Sequence, residues 1–332
     1  MRPPPLNMFD AIAAFRDAIS AAGFQPPSVI ELGKIHRFPT RERRGDTAGW
    51  CRLFPDLRAG VFGDWRTGVM EVWRAGGDRP MTRIERVALD IELIISREAA
   101  RAEQRRVWSA QAVKLARMWD EAALVTPVDP VGLYLARRCL DVSSIGAALR
   151  LAPKMPYYNT DAMTGEIARI GEHSVMLAQV VGVQGQVVAL HRTYLSADGW
   201  KAAVPAPKKL TRAAGRLMGG AIRLHRLGAD GVLGVAEGIE TAAAATLGSG
   251  VPTWAAVSAN GMASFEWPPG VRRIVVFADN DASGAGQKAA EQLALRARTA
   301  RLSVEVLLPT DVGTDWADVW AARGYAPSEV PA

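Results

Sequence analysis

Val232-Leu-Gly-Val-Ala236 runs without a break into Glu237-Gly238-Ile239-Glu240-Thr241, and Ile274-Val-Val-Phe-Ala278 runs in the same way into Asp279-Asn280-Asp281-Ala282-Ser283-Gly284. Each apolar run has the length of a buried strand and delivers carboxylates at the point where it ends. Between and after them the pattern alternates regularly. It reads as strand Gly231–Ala236, helix Glu240–Leu247, strand Thr253–Ser258, strand Arg272–Ala278, helix Gly284–Arg298 and strand Ser303–Leu308. Such alternation predicts a parallel sheet covered on both faces, with the chemistry at the carboxyl ends of the strands. Asp-x-Asp places two carboxylates on one side of an extended segment. A Glu at the neighbouring strand end can face them, forming an oxygen cage suited to Mg²⁺ or Mn²⁺ rather than zinc. A competing use is structural, because Asp also occupies turns and helix caps, and Asp315 has the position of a cap on a last helix.

The 332-residue chain is 49% hydrophobic and 22% charged, a balance that excludes disorder throughout. No apolar run approaches the ~20 residues needed to span a bilayer, and the Pro-rich start lacks the apolar core of a secretion signal. A cytoplasmic protein with no membrane partner is expected. Cys51 and Cys139 are the only cysteines, too few for a disulfide framework or a four-thiolate zinc site.

Net charge is +6, but it is unevenly spread: residues 1–230 hold 33 basic and 23 acidic side chains, residues 231–332 hold 7 and 11. The imbalance suits a body that holds a polyanion and a tail that gathers carboxylates. Within the body, Lys201, Lys208, Lys209, Arg212, Arg216, Arg223 and Arg226 occur in a stretch with no acidic residue, broken by Pro205, Pro207, Gly215, Gly219 and Gly220. The stretch reads as a phosphate-binding loop or, failing that, a solvated one. Before it, a short helix Pro130–Leu140 precedes strands at Ser174–Val181, Gln186–Tyr194 and Ala221–Leu224. Residues 81–126 contain no Gly or Pro, which predicts one long helix or two end to end, able to reach ~60 Å as a spacer. Residues 1 to about 80 read as a first helix, Met8–Ala22, and a small β-rich module. Trp50, Trp65 and Trp73, with Arg37, Arg43, Arg44, Arg52 and Arg66, either form an aromatic and cationic surface for single-stranded template or fill the core of that small sheet.

The order of strand into Glu-Gly, strand into Asp-x-Asp-x-x-Gly, helix, strand and Gly313-x-Asp315-x-x-Asp318 resembles the Toprim domain over about residues 230 to 320. That domain is shared by bacterial-type DNA primases, topoisomerases and related nucleases. The resemblance implies that Glu237 is a metal ligand or general acid/base and that Asp279 and Asp281 bind metal, with Asp315 and Asp318 as later acidic positions. Glu240 stands three residues after the Glu, where primases often carry an acidic residue at four. A topoisomerase would need a nucleophilic tyrosine, and Tyr134, Tyr157, Tyr158, Tyr194 and Tyr325 have no such context.

Residues 185–194 and the Lys208-Lys209-Leu210-Thr211 segment resemble the strand pair and lysine-bearing loop of plasmid and phage primases. This implies template and nucleotide contacts for Arg192, Lys208, Lys209 and Arg212, to which Lys288 is added. Residues 33–68 resemble the N-terminal module of mobile-element primases, but with His36 and Cys51 as the only candidate ligands, a zinc ribbon is not expected.

The expected fold class is therefore α/β. A Toprim, Rossmann-like parallel sheet (230–332) follows a mixed α+β basic subdomain (128–229), a long helical linker (81–127) and a β-rich N-terminal module (1–80). The expected function is a DNA primase making short RNA primers on single-stranded DNA from nucleoside triphosphates, with Mg²⁺ or Mn²⁺, for a plasmid, phage or other mobile element. Its helicase would be a separate chain, because no Gly-x-x-x-x-Gly-Lys-Ser/Thr is present. The same carboxylates would also serve a Toprim nuclease or nickase, and a decayed cage would leave a non-catalytic single-strand-binding accessory protein.

Overall fold

The computed structural model describes residues 7–41, 46–75, 82–161 and 166–323. Arg43, Arg44 and Tyr325 lie outside the described residues. The chain divides into two compact units, Met1–Val107 with Tyr158–Ala168, and Trp108–Tyr157 with Arg169–Ala332.

The first unit begins with α1 (Met8–Ala21), whose N-cap Asn7 accepts the Asp10 N–H at 2.9 Å. An antiparallel sheet follows in the order β1 (His36–Phe38), β2 (Gly49–Leu53), β3 (Ala59–Asp64), β4 (Met70–Arg74). Period-two alternation divides its side chains. Phe38, Cys51, Leu53 and Phe62 pack on Phe15 and Ile19 of α1, while Trp50, Phe54 and Val61 pack on Ala100 in the first half of α2 (Arg83–Asp120). Arg52 is buried with them and reaches Glu92 of α2 at 2.9 Å and Ser96 at 2.7 Å.

Of the two readings open for the tryptophans, this packing favours the sheet core. Trp50 is only 5% exposed. Trp65 packs on it at 5.4 Å with Arg37 over its own ring, and Trp73 packs on Phe15 at 5.5 Å. Arg52 is buried in its pairing, and Arg66 is bound to Asp46 at 2.7 Å. A sheet this small has little apolar area to bury, so its aromatics pack on one another and along the core.

The second unit takes the end of α2, where Leu115 is buried against Tyr157 and Tyr194. α2 is one continuous helix, as the stretch without Gly or Pro predicts. Next come β5 (Ala123–Leu124), α3 (Pro130–Ala136), α4 (Val142–Ile145), β6 (Leu149–Thr160), β7 (Ile167–Val181), β8 (Val187–Leu195), β9 (Lys208–Leu210) and β10 (Ala221–Ile222). Then the alternation begins with β11 (Val232–Ala236), α5 (Ile239–Ser249), β12 (Thr253–Ala255), α6 (Ala259–Ser264), β13 (Arg273–Phe277), α7 (Ala285–Thr299), β14 (Ser303–Leu307) and α8 (Trp316–Ala322).

Strands of the basic part (128–229) and of the Toprim part (230–332) share a sheet. One ten-stranded sheet runs β14-β13-β11-β12-β10-β7-β6-β5, with β8 on β7 and β9 on β8. β12, β11, β13 and β14 are parallel, and β10 joins them antiparallel to β7. Two apolar clusters cover the parallel part, one including Ala242–Ala245 of α5 and the other Ala290 and Leu293 of α7. Among the described residues, no helix is long and apolar enough to cross a membrane.

Candidate active site

The register of the parallel strands decides where the carboxylates fall. Ala236 pairs with Phe277, so Glu237 and Asp279 leave the sheet at the same, carboxyl end of neighbouring strands. The Glu237 carbonyl accepts the Val257 N–H at 2.9 Å, and its carboxylate takes the N–H of Ala259 at the start of α6. Val257 holds φ of 73°, a left-handed conformation that strains a β-branched residue by about 1–3 kcal/mol and places that loop under Glu237. Asp315 caps α8, accepting the N–H groups of Ala317 at 2.7 Å and Asp318 at 2.9 Å, while Asp318 accepts the Asp315 N–H at 3.0 Å. The reciprocal capping box leaves one oxygen on each carboxylate free of these bonds.

Glu237, Asp279, Asp315 and Asp318 line one cavity of about 470 Å³, together with Arg137, Arg138, Lys201 and Lys208 from the part of the chain before β11. Asp281 is not in its lining. It binds Ser283 Oγ at 2.5 Å and the Gly286 N–H at 3.1 Å, which ties it to the start of α7 and lowers its pKa. Burial first, then the carboxylates of Asp315, Glu237 and Asp281, push Asp279 up to about 7. Burial and Asp281 likewise raise Glu237.

The donor set fits a hard divalent cation. Asp279 Oδ1 is buried with no hydrogen-bond partner, amid like charges that a cation would neutralise. Among the described residues, however, no three such groups converge as a ready-made metal site. The five-carboxylate cage expected from the sequence is therefore not preformed, because Asp281, Asp315 and Asp318 serve helix starts. Mg²⁺ commonly takes only one or two carboxylates and completes its shell with waters and substrate phosphates. Glu237 and Asp279 are the residues that would hold it.

The basic residues divide differently from the sequence reading. Residues 208–210 form a strand rather than a loop, since their backbone pairs with β8: Lys208 opposite Thr193, Lys209 opposite Arg192 and Leu210 opposite His191. Alternation then sends adjacent lysines to opposite faces. Lys208 and His191 line the carboxylate cavity. Lys209 lies over the Tyr157 ring at 3.8 Å, and Arg192 donates to the Leu210 carbonyl at 3.0 Å beside Tyr194. Of the nominated cations, Arg192, Lys209, Arg212 and Lys288 are absent from the cavity lining. Arg212 is exposed, with its carbonyl accepting from Gln111 at 3.1 Å, and Lys288 is exposed in the first turn of α7.

Lys208 is also paired. Its Nζ is 2.9 Å from Glu240 Oε2, and Tyr134 Oη donates to Glu240 Oε1. Glu240 is only 6% exposed. Burial alone would raise its pKa, but the Lys208 charge and the two hydrogen bonds hold it well below the usual carboxylate range. Burial, then the Glu240 charge, raises the Tyr134 phenol. The sequence signal for this contact is a lone carboxylate opening the buried run Thr241-Ala-Ala-Ala-Ala245, because a buried charge requires a partner. The partner's identity is not written locally.

His191 provides a pH signature. Burial first, then Lys208, lowers it from 6.5 to about 4. The unfolded chain therefore takes up this proton near 6.5 and the folded chain only near 4, so stability is lost as pH falls through that window. His191→Asn should flatten this part of the stability profile by about 3 kcal/mol, read from urea unfolding at several pH values. Parallel profiles for the two proteins would refute the neutral buried imidazole.

Known families match two parts of the chain. Residues 232–326 match the Toprim domain, and residues 109–224 match a domain of unknown function, DUF7146. The C-terminal part of the sheet is thus a Toprim domain. Among solved structures, the chain is similar to a DNA primase domain from Pseudomonas aeruginosa, at 15% identity over 66% of this chain and 74% of that one, with a TM-score of 0.43. It is similar to the zinc-binding and RNA polymerase domains of the Aquifex aeolicus primase at 14% identity over 95% and 83%, with a TM-score of 0.43. It is also similar to a DnaG primase catalytic domain bound to single-stranded DNA at 13% identity over 68% and 78%, with a TM-score of 0.43. No curated protein matches the chain.

Proposed function

We propose that this protein is a primase that joins nucleoside triphosphates into short RNA primers on a single-stranded DNA template. The observation that carries the reading is the cavity in which Toprim carboxylates meet Lys208, Lys201, Arg137 and Arg138. Carboxylates that need a cation, beside a group of lysines and arginines, suit a metal-bound polyphosphate. In nucleotidyl transfer the 3′-hydroxyl oxygen attacks the α-phosphorus, its proton passes to water, and the bond to the pyrophosphate leaving group breaks. Lys208, aimed by Glu240, would bind phosphate oxygens, and Glu237 and Asp279 would hold Mg²⁺ or Mn²⁺. When bound, the metal supplies charge neutralisation at phosphate and acidifies the attacking hydroxyl.

The resemblance of residues 33–68 and 185–211 to plasmid and phage primases supports service to a mobile element, in a reducing cytoplasm and beside a separate helicase. The test is incubation with single-stranded DNA, labelled ribonucleotides and Mg²⁺. New oligonucleotides are expected. DNA fragments would instead show a Toprim nuclease, and binding with no product would show an accessory protein.

A further inference from the structure

In the first unit Trp50 is buried and Trp65 and Trp73 are half-buried in ring contacts with their neighbours. In the second unit, Trp200 is 54% exposed and lines the cavity that holds Glu237, Asp279 and Lys208. Its backbone is held in a closed turn. Ser196 N–H donates to the Trp200 carbonyl at 2.9 Å, Trp200 N–H donates to Ser196 Oγ at 3.1 Å, and Ser196 Oγ binds Asp198 at 2.5 Å. The turn is seated on α3: at Gly199, with φ of 79°, a Cβ would come within 2.7 Å of the Tyr134 backbone nitrogen. Arg137 completes the assembly. Its Nε donates to the Asp198 carbonyl at 3.1 Å, and its guanidinium lies 4.4 Å from the Trp200 ring centre.

An exposed indole normally gains nothing from being immobilised. Here a closed turn and a stacked guanidinium hold it at the edge of a polyanion site, as pre-organised binding surfaces are held. Resting on the primase reading, we infer that Trp200 and Arg137 form the base-binding subsite for the incoming nucleoside triphosphate. The base stacks on the indole while the phosphates lie toward Lys208 and the carboxylates. Stacking accepts every base because each has a π-face, and the larger purines gain more than pyrimidines. Such a subsite suits an enzyme whose base choice is dictated by the template.

Competition against a fluorescent ATP analogue, in Mg²⁺, tests the subsite with two probes: ATP, and inorganic tripolyphosphate, which has the charge but no base. Trp200→Ala should weaken ATP about 5- to 100-fold and leave tripolyphosphate within about twofold, with Trp200→Phe between wild type and Trp200→Ala for ATP. GTP should lose more than UTP. Equal ATP affinity in wild type and Trp200→Ala overturns the subsite while the primase reading stands. Equal loss of both probes also overturns it, by showing that Trp200 only supports the cavity. Failure of the wild-type protein to bind either probe would sink the primase reading and the subsite together.

Discussion

Glu237→Gln and Asp279→Asn should each abolish primer synthesis, by about a thousandfold or more, while single-stranded DNA binding stays within about twofold. Asp279 has the buried oxygen without a partner, and Glu237 stands at the neighbouring strand end. A second measurement separates loss of a ligand from damage to the fold. In chelator at pH 8, Asp279→Asn should melt above wild type, because wild-type Asp279 is charged there among Asp315, Glu237 and Asp281. The sign follows from its raised pKa: the stability associated with the protonated carboxyl is present at low pH and lost as pH rises through about 7. Each 1 kcal/mol of relief corresponds to about 2–4 °C in Tm for a unit of this size. Mg²⁺ should then stabilise wild type and not the variant, reversing the order. Unchanged synthesis in either variant would remove the assignment.

Lys208→Met should cost about 2–3 kcal/mol and impair synthesis, because it leaves the buried Glu240 carboxylate with Tyr134 alone. The loss is set below the ~3–5 kcal/mol of a fully buried pair because the lysine end is partly exposed. Glu240→Gln should also destabilise, and in combination with Lys208→Met it should recover part of the sum, giving a coupling of about 1–2 kcal/mol in urea unfolding. Kinetics distinguish the roles. Lys208→Met should raise the KM for nucleotide, and Glu240→Gln should do so more weakly, because its effect passes through the lysine. Additive stability losses would show that the two residues do not act as a pair.

Much of this was legible along the chain because it depends on local pattern. Apolar runs ending in Glu-Gly and Asp-x-Asp marked β11 and β13, and the stretch without Gly or Pro marked α2. The capping role of Asp315 was also open to view, since the Asp315-x-x-Asp318 spacing is that of a reciprocal cap. The basic stretch reads as a loop because β9 is three residues long and exists only through pairing with β8. Three residues carry no period to detect, yet one strand suffices to turn Lys208 and Lys209 to opposite faces. The tryptophans were equally undecidable. An indole suits a core or a stacking surface, and only the packing shows that Trp50 is buried and Trp200 exposed.

The sequence by itself therefore determined the alternation that holds β11 and β13 and the carboxylates at their ends, because hydrophobic period and turn chemistry act over a few residues. The tertiary structure decided which cations reach those carboxylates. Tyr134, Lys208 and Glu240 are far apart in the chain, and their contact arises where α3, β9 and α5 pack together. A buried carboxylate dictates that it must have a partner, but the fold alone chooses which residue that is.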